Sequence, residues 1–163
     1  WSVAMVVHDF KQEYPSVDVQ ILASDIDSEV LKQADVGMYD VNPEIVKANP
    51  YLAKYLQEAE SSTENQPLQH KVYQIKNDIR PYVQFKKINL LHNWEGDVGK
   101  GFDFVFCRNV IIYFSKKTQK TLFDKMTKVM NIGSFLYLGH SESLLGLSQD
   151  FENLRHTTYR KIK

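Results

Sequence analysis

The sequence predicts an α/β fold built on a largely parallel sheet. Strand-like apolar runs alternate with amphipathic helical stretches along most of the chain. Two of those strands stop abruptly on polar residues, Ser24-Asp25 and Cys107-Arg108-Asn109. In open α/β sheets, ligands bind at the carboxyl ends of strands.

Residues 2–13 place Val3, Met5, Val6, Val7 and Phe10 near helical period and stop at Tyr14-Pro15. Residues 17–23 read as a strand ending at Ser24-Asp25. Asp27 is the expected N-cap of a short helix to about Ala34, with Ser28 and Glu29 in its first turn. Gly37 is its expected stop. Residues 38–70 are polar, with Asn42-Pro43 and Asn49-Pro50 as breakers and a short helix near 51–59. Residues 61–67 form the most loop-like segment. Residues 71–75 alternate and suit an edge strand, and 83–90 alternate as a clear strand.

After a glycine-bearing loop at 93–101 comes the run Phe102-Asp-Phe-Val-Phe-Cys107. It reads as a buried strand. Ser115 caps a helix to about Met130, with Leu122, Phe123, Met126, Val129 and Met130 on its apolar face and Gly133 closing it. Residues 135–138 are a strand leading into Gly139-His-Ser-Glu142. Residues 144–151 suit a short helix or loop, and 155–162 a final strand.

Composition sets limits. The 163 residues fit one domain, 43% hydrophobic and 25% charged, as expected of a water-soluble globule. Twenty basic and twenty acidic side chains cancel, so no global field favours nucleic acid or an anionic membrane. Cys107 is the single cysteine, which excludes an intrachain disulfide and a cysteine-based zinc site and suits a reducing cytosol. No apolar run approaches the ~20 residues that span a bilayer, and there is no secretory pattern. The first residue is Trp1, already in a helical pattern, so an upstream segment is expected.

Five residues stand out. Asp25 ends its strand where, in nucleotide-binding α/β folds, an acid accepts hydrogen bonds from ribose hydroxyls. Asp27 serves the helix cap instead. Asn89 ends the strand before it with a side-chain amide suited to an adenine edge, or to stabilising a turn; the residues leave both open. Arg108 and Asn109 are placed to touch a ligand, and the apolar flanks of Arg108 disfavour a free surface ion pair. Tyr113, among Ile111, Ile112 and Phe114, reads from its neighbours as core. His140, Ser141 and Glu142 invite a hydrolase reading, but adjacent residues rarely face one another and no G-x-S-x-G elbow is present. Walker, G-x-G-x-x-G, H-E-x-x-H and EF-hand motifs are absent.

In order, Ile21-Leu-Ala-Ser-Asp-Ile-Asp-Ser-Glu-Val-Leu31, Gly37-Met-Tyr39, the block ending Asn89-Leu-Leu91, Cys107-Arg-Asn109 with Ile112-Tyr-Phe114, Gly139-His-Ser-Glu-Ser143 and Thr158-Tyr-Arg160 resemble the chemotaxis receptor glutamate methyltransferases, the CheR-type family. The resemblance runs from end to end. It implies a Rossmann-like, S-adenosylmethionine-dependent methyltransferase fold with a small β-subdomain insert at 38–82. The implied substrate is a glutamate on the cytoplasmic helical bundle of a transmembrane chemoreceptor, in the cytoplasm. In some members the insert docks a receptor C-terminal peptide by strand addition. By position, Asp25 would hold the ribose, Asn89, Leu90, Arg108 and Asn109 would contact the cofactor, and Arg108 and Tyr113 would sit beside the transferring methyl. The resemblance thus moves Tyr113 from core to site. No metal is implied.

Against the family pattern, the N-terminal helical domain and the first strand with its glycine loop and Gly-Glu-Glu are absent. The expectation is an N-terminally truncated methyltransferase domain that is not an active monomer by itself. Micromolar binding of S-adenosylhomocysteine to the 163-residue chain in calorimetry would contradict it. Met130-Asn-Ile-Gly133 lacks the family's usual proline before the glycine. A second reading is a non-catalytic module that binds receptor or cofactor on the same scaffold. A nicotinamide oxidoreductase is weakly supported, because no residue marks a hydride-transfer site.

Overall fold

A computed structural model of the chain describes residues 1–59 and 71–163, in two compact units, Trp1–Ile88 and Asn89–Lys163. The architecture is mixed α/β, as the alternation of elements predicts, but the expected largely parallel sheet does not form: of six strand pairings among the described residues, two are parallel and four antiparallel.

In the first unit, α1 (Ser2–Glu13) buries Ala4 and Met5. Strand β1 (Ile21–Asp25) runs parallel to β5 (Val83–Lys87), with Ile21 opposite Val83 and Asp25 opposite Lys87. β1 therefore starts four residues later than its apolar pattern suggests, and β5 ends at Lys87, before Asn89. Helix α2 (Ser28–Val36) has Asp27 as its N-cap, the side chain accepting from the Glu29 N–H at 2.8 Å. Its C-terminus is fastened twice. The Trp1 indole N–H donates to the Ala34 carbonyl at 3.0 Å, and the Arg80 guanidinium, lying over the Trp1 ring, donates to the carbonyls of Asp35 and Val36.

Three short strands form an antiparallel sheet in the order β2 (Met38–Val41), β4 (Lys71–Ile75), β3 (Leu56–Glu58). The alternation at 71–75 is thus that of a central strand, not an edge. Between β2 and β3 lie α3 (Pro43–Ala48) and α4 (Pro50–Tyr55). Here the two Asn-Pro pairs start helices rather than merely breaking the chain. Asn42 and Asn49 cap the next N–H groups, and the proline's fixed φ suits the first helical position. The short helix expected at 51–59 gives way after Tyr55 to β3, and the loop expected at 61–67 lies outside the described residues. Tyr55, Leu56, Tyr73, Ile75 and Ile79 pack with Ala4, Met5 and Val46 into one core. Tyr55 also shares a polar cluster with α1: its hydroxyl bonds to Asp9 and lies 3.1 Å from His8 Nδ1. Burial, reinforced by Asp9, pushes that hydroxyl up to about 12.

Gly37 ends α2 at φ +67, where a Cβ would lie 2.7 Å from Arg80 Nη2 and 3.3 Å from Ile75 Cβ. Gly37→Ala is expected to cost about 1–2 kcal/mol for the left-handed backbone alone. Urea denaturation of both proteins measures it.

In the second unit, β6 (Phe102–Cys107) pairs parallel with β7 (Met130–Leu138). The hairpin β8 (Phe151–Arg155) and β9 (Thr158–Lys161) completes the order β6-β7-β9-β8, with β9 antiparallel to both neighbours. The strand expected over 155–162 forms only as β9, because the chain turns at His156 with φ 49 after Arg155, the last residue of β8. Residues 144–150 are turns, without a helix. Helix α5 (Lys116–Val129) buries Leu122, Phe123, Met126 and Val129. It passes directly into β7 at Met130, so Gly133 does not close it. Gly133, at φ +85, lies within β7 where the register to β6 shifts. The buried ammonium of Lys161 donates to the carbonyls of Thr127 and Met130, which satisfies the helix end.

Candidate functional site

The end of β6 leads through residues 108–115 into α5. Asn109 adopts φ 59, a left-handed conformation that asparagine tolerates better than most residues. Val110 follows in the right-handed helical region. This alternation turns three successive N–H groups, of residues 109, 110 and 111, toward one point. Glu142 occupies that point from the turn after β7. Its carboxylate accepts from Asn109 N at 2.9 Å, Val110 N at 2.8 Å, Ile111 N at 2.9 Å and Gly139 N at 2.6 Å. From α5, the buried Gln119 side chain donates to the carbonyls of Ile111 at 2.7 Å and Phe114 at 3.0 Å. Ser115 caps α5 by accepting from the Thr118 N–H.

A backbone fastened on both its donor and acceptor sides therefore presents Arg108, Asn109 and Tyr113. Arg108 and Asn109 are exposed, and Tyr113 is 80% exposed while Ile111 beside it is 1% exposed. The core reading of Tyr113 is overturned: in the 3₁₀ turn Ile111–Tyr113, Ile111 takes the inward position.

Asn89 and Leu90, which come after β5 in sequence, belong to the second unit. The Asn89 carbonyl oxygen of the side chain accepts from the Leu91 N–H at 3.0 Å, the turn-stabilising role; its NH2 donates to no acceptor among the described residues. Leu90 is half-buried and, with Leu91, lines an open cleft of about 320 Å³ against Lys117, Thr118, Thr121, Leu122 and Lys125 of α5. Asp25 stands in the first unit at the carboxyl end of β1, exposed, its Oδ1 accepting from the Asp27 N–H at 2.9 Å. The six residues thus divide: Arg108, Asn109 and Tyr113 share one loop, Asn89 and Leu90 another, and Asp25 belongs to the other unit.

Sequence reasoning missed Glu142 as part of this loop, having weighed it only with His140 and Ser141. Those two are exposed while Glu142 is 4% exposed, and its carboxylate is taken up by backbone donors. Three of its four donors lie 31 to 33 residues away in sequence, and no local pattern signals them. Cys107 is buried packing: burial, then the charge of Glu142, pushes its thiol up to about 12, which makes it a poor nucleophile.

Burial alone would raise the Glu142 carboxyl, but the backbone donors of Gly139, Asn109, Val110 and Ile111 outweigh it and hold it below the ordinary carboxylate range. A folded-state value below the unfolded one stabilises above the unfolded pKa, and the gain is lost as pH falls through the folded value. Wild type is therefore expected to exceed Glu142→Gln by a constant margin in denaturation midpoint above about pH 6, a margin that shrinks below about pH 4. Urea titrations across that range check it.

The sequence matches the family described as CheR methyltransferase, SAM binding domain, over residues 1–160. Among curated proteins it is similar to the chemotaxis protein methyltransferase of Borreliella burgdorferi, 35% identical over 99% of this chain and 53% of that protein. The chemotaxis protein methyltransferase of Vibrio parahaemolyticus is 32% identical over 95% of this chain and 54% of its own. That of Salmonella typhimurium is 31% identical over 88% and 48%. The chain spans about half the length of these relatives.

Proposed function

Because this chain belongs to the CheR methyltransferase family, matched over its S-adenosylmethionine-binding domain, we propose that it transfers a methyl group from S-adenosylmethionine to glutamate side chains of chemoreceptors. The observation that carries this reading is the fastened loop after β6, which offers an arginine, an amide and a phenol outward together.

The residues fit the cofactor by their chemistry. The uncommitted NH2 of Asn89 can donate to a purine nitrogen, and the half-buried Leu90 offers an apolar surface to the ring. Asn109 would add a second amide, and Asp25 would accept from ribose hydroxyls. When bound, S-adenosylmethionine supplies a methyl group activated by a sulfonium.

The protein's own task is then modest. A glutamate carboxylate, with a pKa of about 4.3, is already ionised at neutral pH and needs no general base. Arg108 can pair with it through two parallel N–H donors and aim one oxygen. Tyr113 would close the other side and limit water. Alignment of donor, methyl and acceptor then supplies most of the rate.

The substrate would be the cytoplasmic bundle of a transmembrane receptor, and the reaction would then take place in the cytoplasm. No described helix is long and apolar enough to cross a membrane. Residues 38–82 would serve as the β-subdomain of the domain spanning 1–163. The β2 strand pairs only with β4 among the described residues, and its other edge would accept a receptor C-terminal peptide.

The test uses the protein expressed from its complete reading frame, methyl-labelled S-adenosylmethionine and receptor cytoplasmic bundles. Base-labile release of labelled methanol is the expected result. Cofactor binding without such release would sink the enzyme reading in favour of a non-catalytic binding module.

A further inference from the structure

The strongest polar arrangement in the second unit lies inside the loop, not on it. An alternating left- and right-handed backbone pair at Asn109 and Val110 makes a concave set of N–H donors, the kind of nest that usually takes an anionic ligand. Here the protein fills it with its own carboxylate. Glu142 reaches it from beyond β7, and its remaining donor, the Gly139 N–H, belongs to its own turn. Gln119 completes the hold from α5 by donating to the carbonyls of Ile111 and Phe114. Every residue from Asn109 to Ile111, and Phe114 as well, is thus tied through its backbone to a buried side chain.

We infer that Glu142 is a positioning residue of the methyl-transfer site, its carboxylate and the Gln119 amide together setting the directions in which Arg108 and Tyr113 leave the backbone. This rests on the methyltransferase reading above. The physical case is one of precision. Arg108 and Tyr113 are exposed, so their own side chains pack on little that would steer them. Their orientation comes from the backbone, and the backbone takes its shape from Glu142 and Gln119. A misplacement of about 1 Å in such groups can cost about 10²-fold in rate.

Glu142→Gln keeps the size of the side chain but replaces one acceptor oxygen by an NH2 that faces N–H donors. In the protein expressed from its complete reading frame, amide hydrogen exchange at residues 109–111 and 139 is expected to quicken. With receptor bundles as substrate, kcat should fall about 10- to 100-fold with a smaller change in KM. Gln119→Met removes the two donors on the carbonyl side at similar volume, and it carries the same measurements if Glu142→Gln shows no cooperative melt. It should quicken exchange at 111–114 and lower kcat in the same direction. Faster exchange with unchanged kcat and KM in a folded variant would overturn the inference and leave Glu142 as a purely structural tie. If wild type neither binds S-adenosylhomocysteine in calorimetry nor methylates receptor, the methyltransferase reading falls and this inference with it. Wild-type activity beside unaffected variants overturns the inference alone.

Discussion

Arg108→Ala is expected to lower methyl transfer about 10- to 100-fold, the effect of losing about 1.5–3 kcal/mol of hydrogen bonding to a charged partner. The residue follows the last strand position of β6 and is exposed, so its removal leaves no buried cavity and the fold should melt as wild type does. Arg108→Lys keeps the charge but loses the planar fork that grips a carboxylate at two points, and it should fall between the two. Steady-state kinetics with receptor bundles, read beside calorimetric affinity for S-adenosylhomocysteine, separates the roles. A loss confined to kcat marks orientation of the acceptor, and a parallel loss of affinity adds cofactor contact. Unchanged kinetics would remove Arg108 from the site.

The second large effect is expected from Gly139, which packs against the loop from the end of β7. Gly139→Ala would place a Cβ 2.4 Å from Asn109 Oδ1, 2.7 Å from Glu142 Oε2 and 2.9 Å from Asn109 N. The Asn109 side chain can swing away. The Asn109 backbone and the Glu142 carboxylate cannot, because they are bonded to each other and Glu142 also holds Val110 and Ile111. Either the nest opens or the β7 end shifts. Overpacking of this kind costs roughly 2–3 kcal/mol. Transfer should fall with it, since either change disturbs the hold of Glu142 on the loop carrying Arg108 and Tyr113. Denaturant titration and kinetics on the same preparation test both halves; wild-type stability would show that the close approach relaxes at no cost.

Much of the fold is legible because it is encoded locally. Asp27 caps α2 and Gly37 ends it because a side-chain oxygen and a missing Cβ act within three residues of the helix end. Helix α5 shows its apolar face at helical spacing, and the polar residues at the ends of β1 and β6 stand out against apolar runs. Misreadings arise where partners are distant. The alternation at 71–75 is the same for an edge and a central strand, and only pairing with both β2 and β3 decides. The turn at His156 cuts Arg155, the end of β8, from β9, a break that the alternating run at 155–162 hides.

For the candidate site, the sequence alone determined the residue types and the family. The order Cys107-Arg108-Asn109 followed by Tyr113 carries the residue types, because strand-end chemistry is written in consecutive residues, and the six ordered blocks together carry the family. Tertiary structure decided which of those side chains face outward. It turned Ile111 inward and Tyr113 out, and it brought Glu142 from beyond β7 and Gln119 from α5 onto the same backbone. The reason is physical: buried N–H and C=O groups must find partners, and a loop that follows a strand has no ladder of its own to supply them.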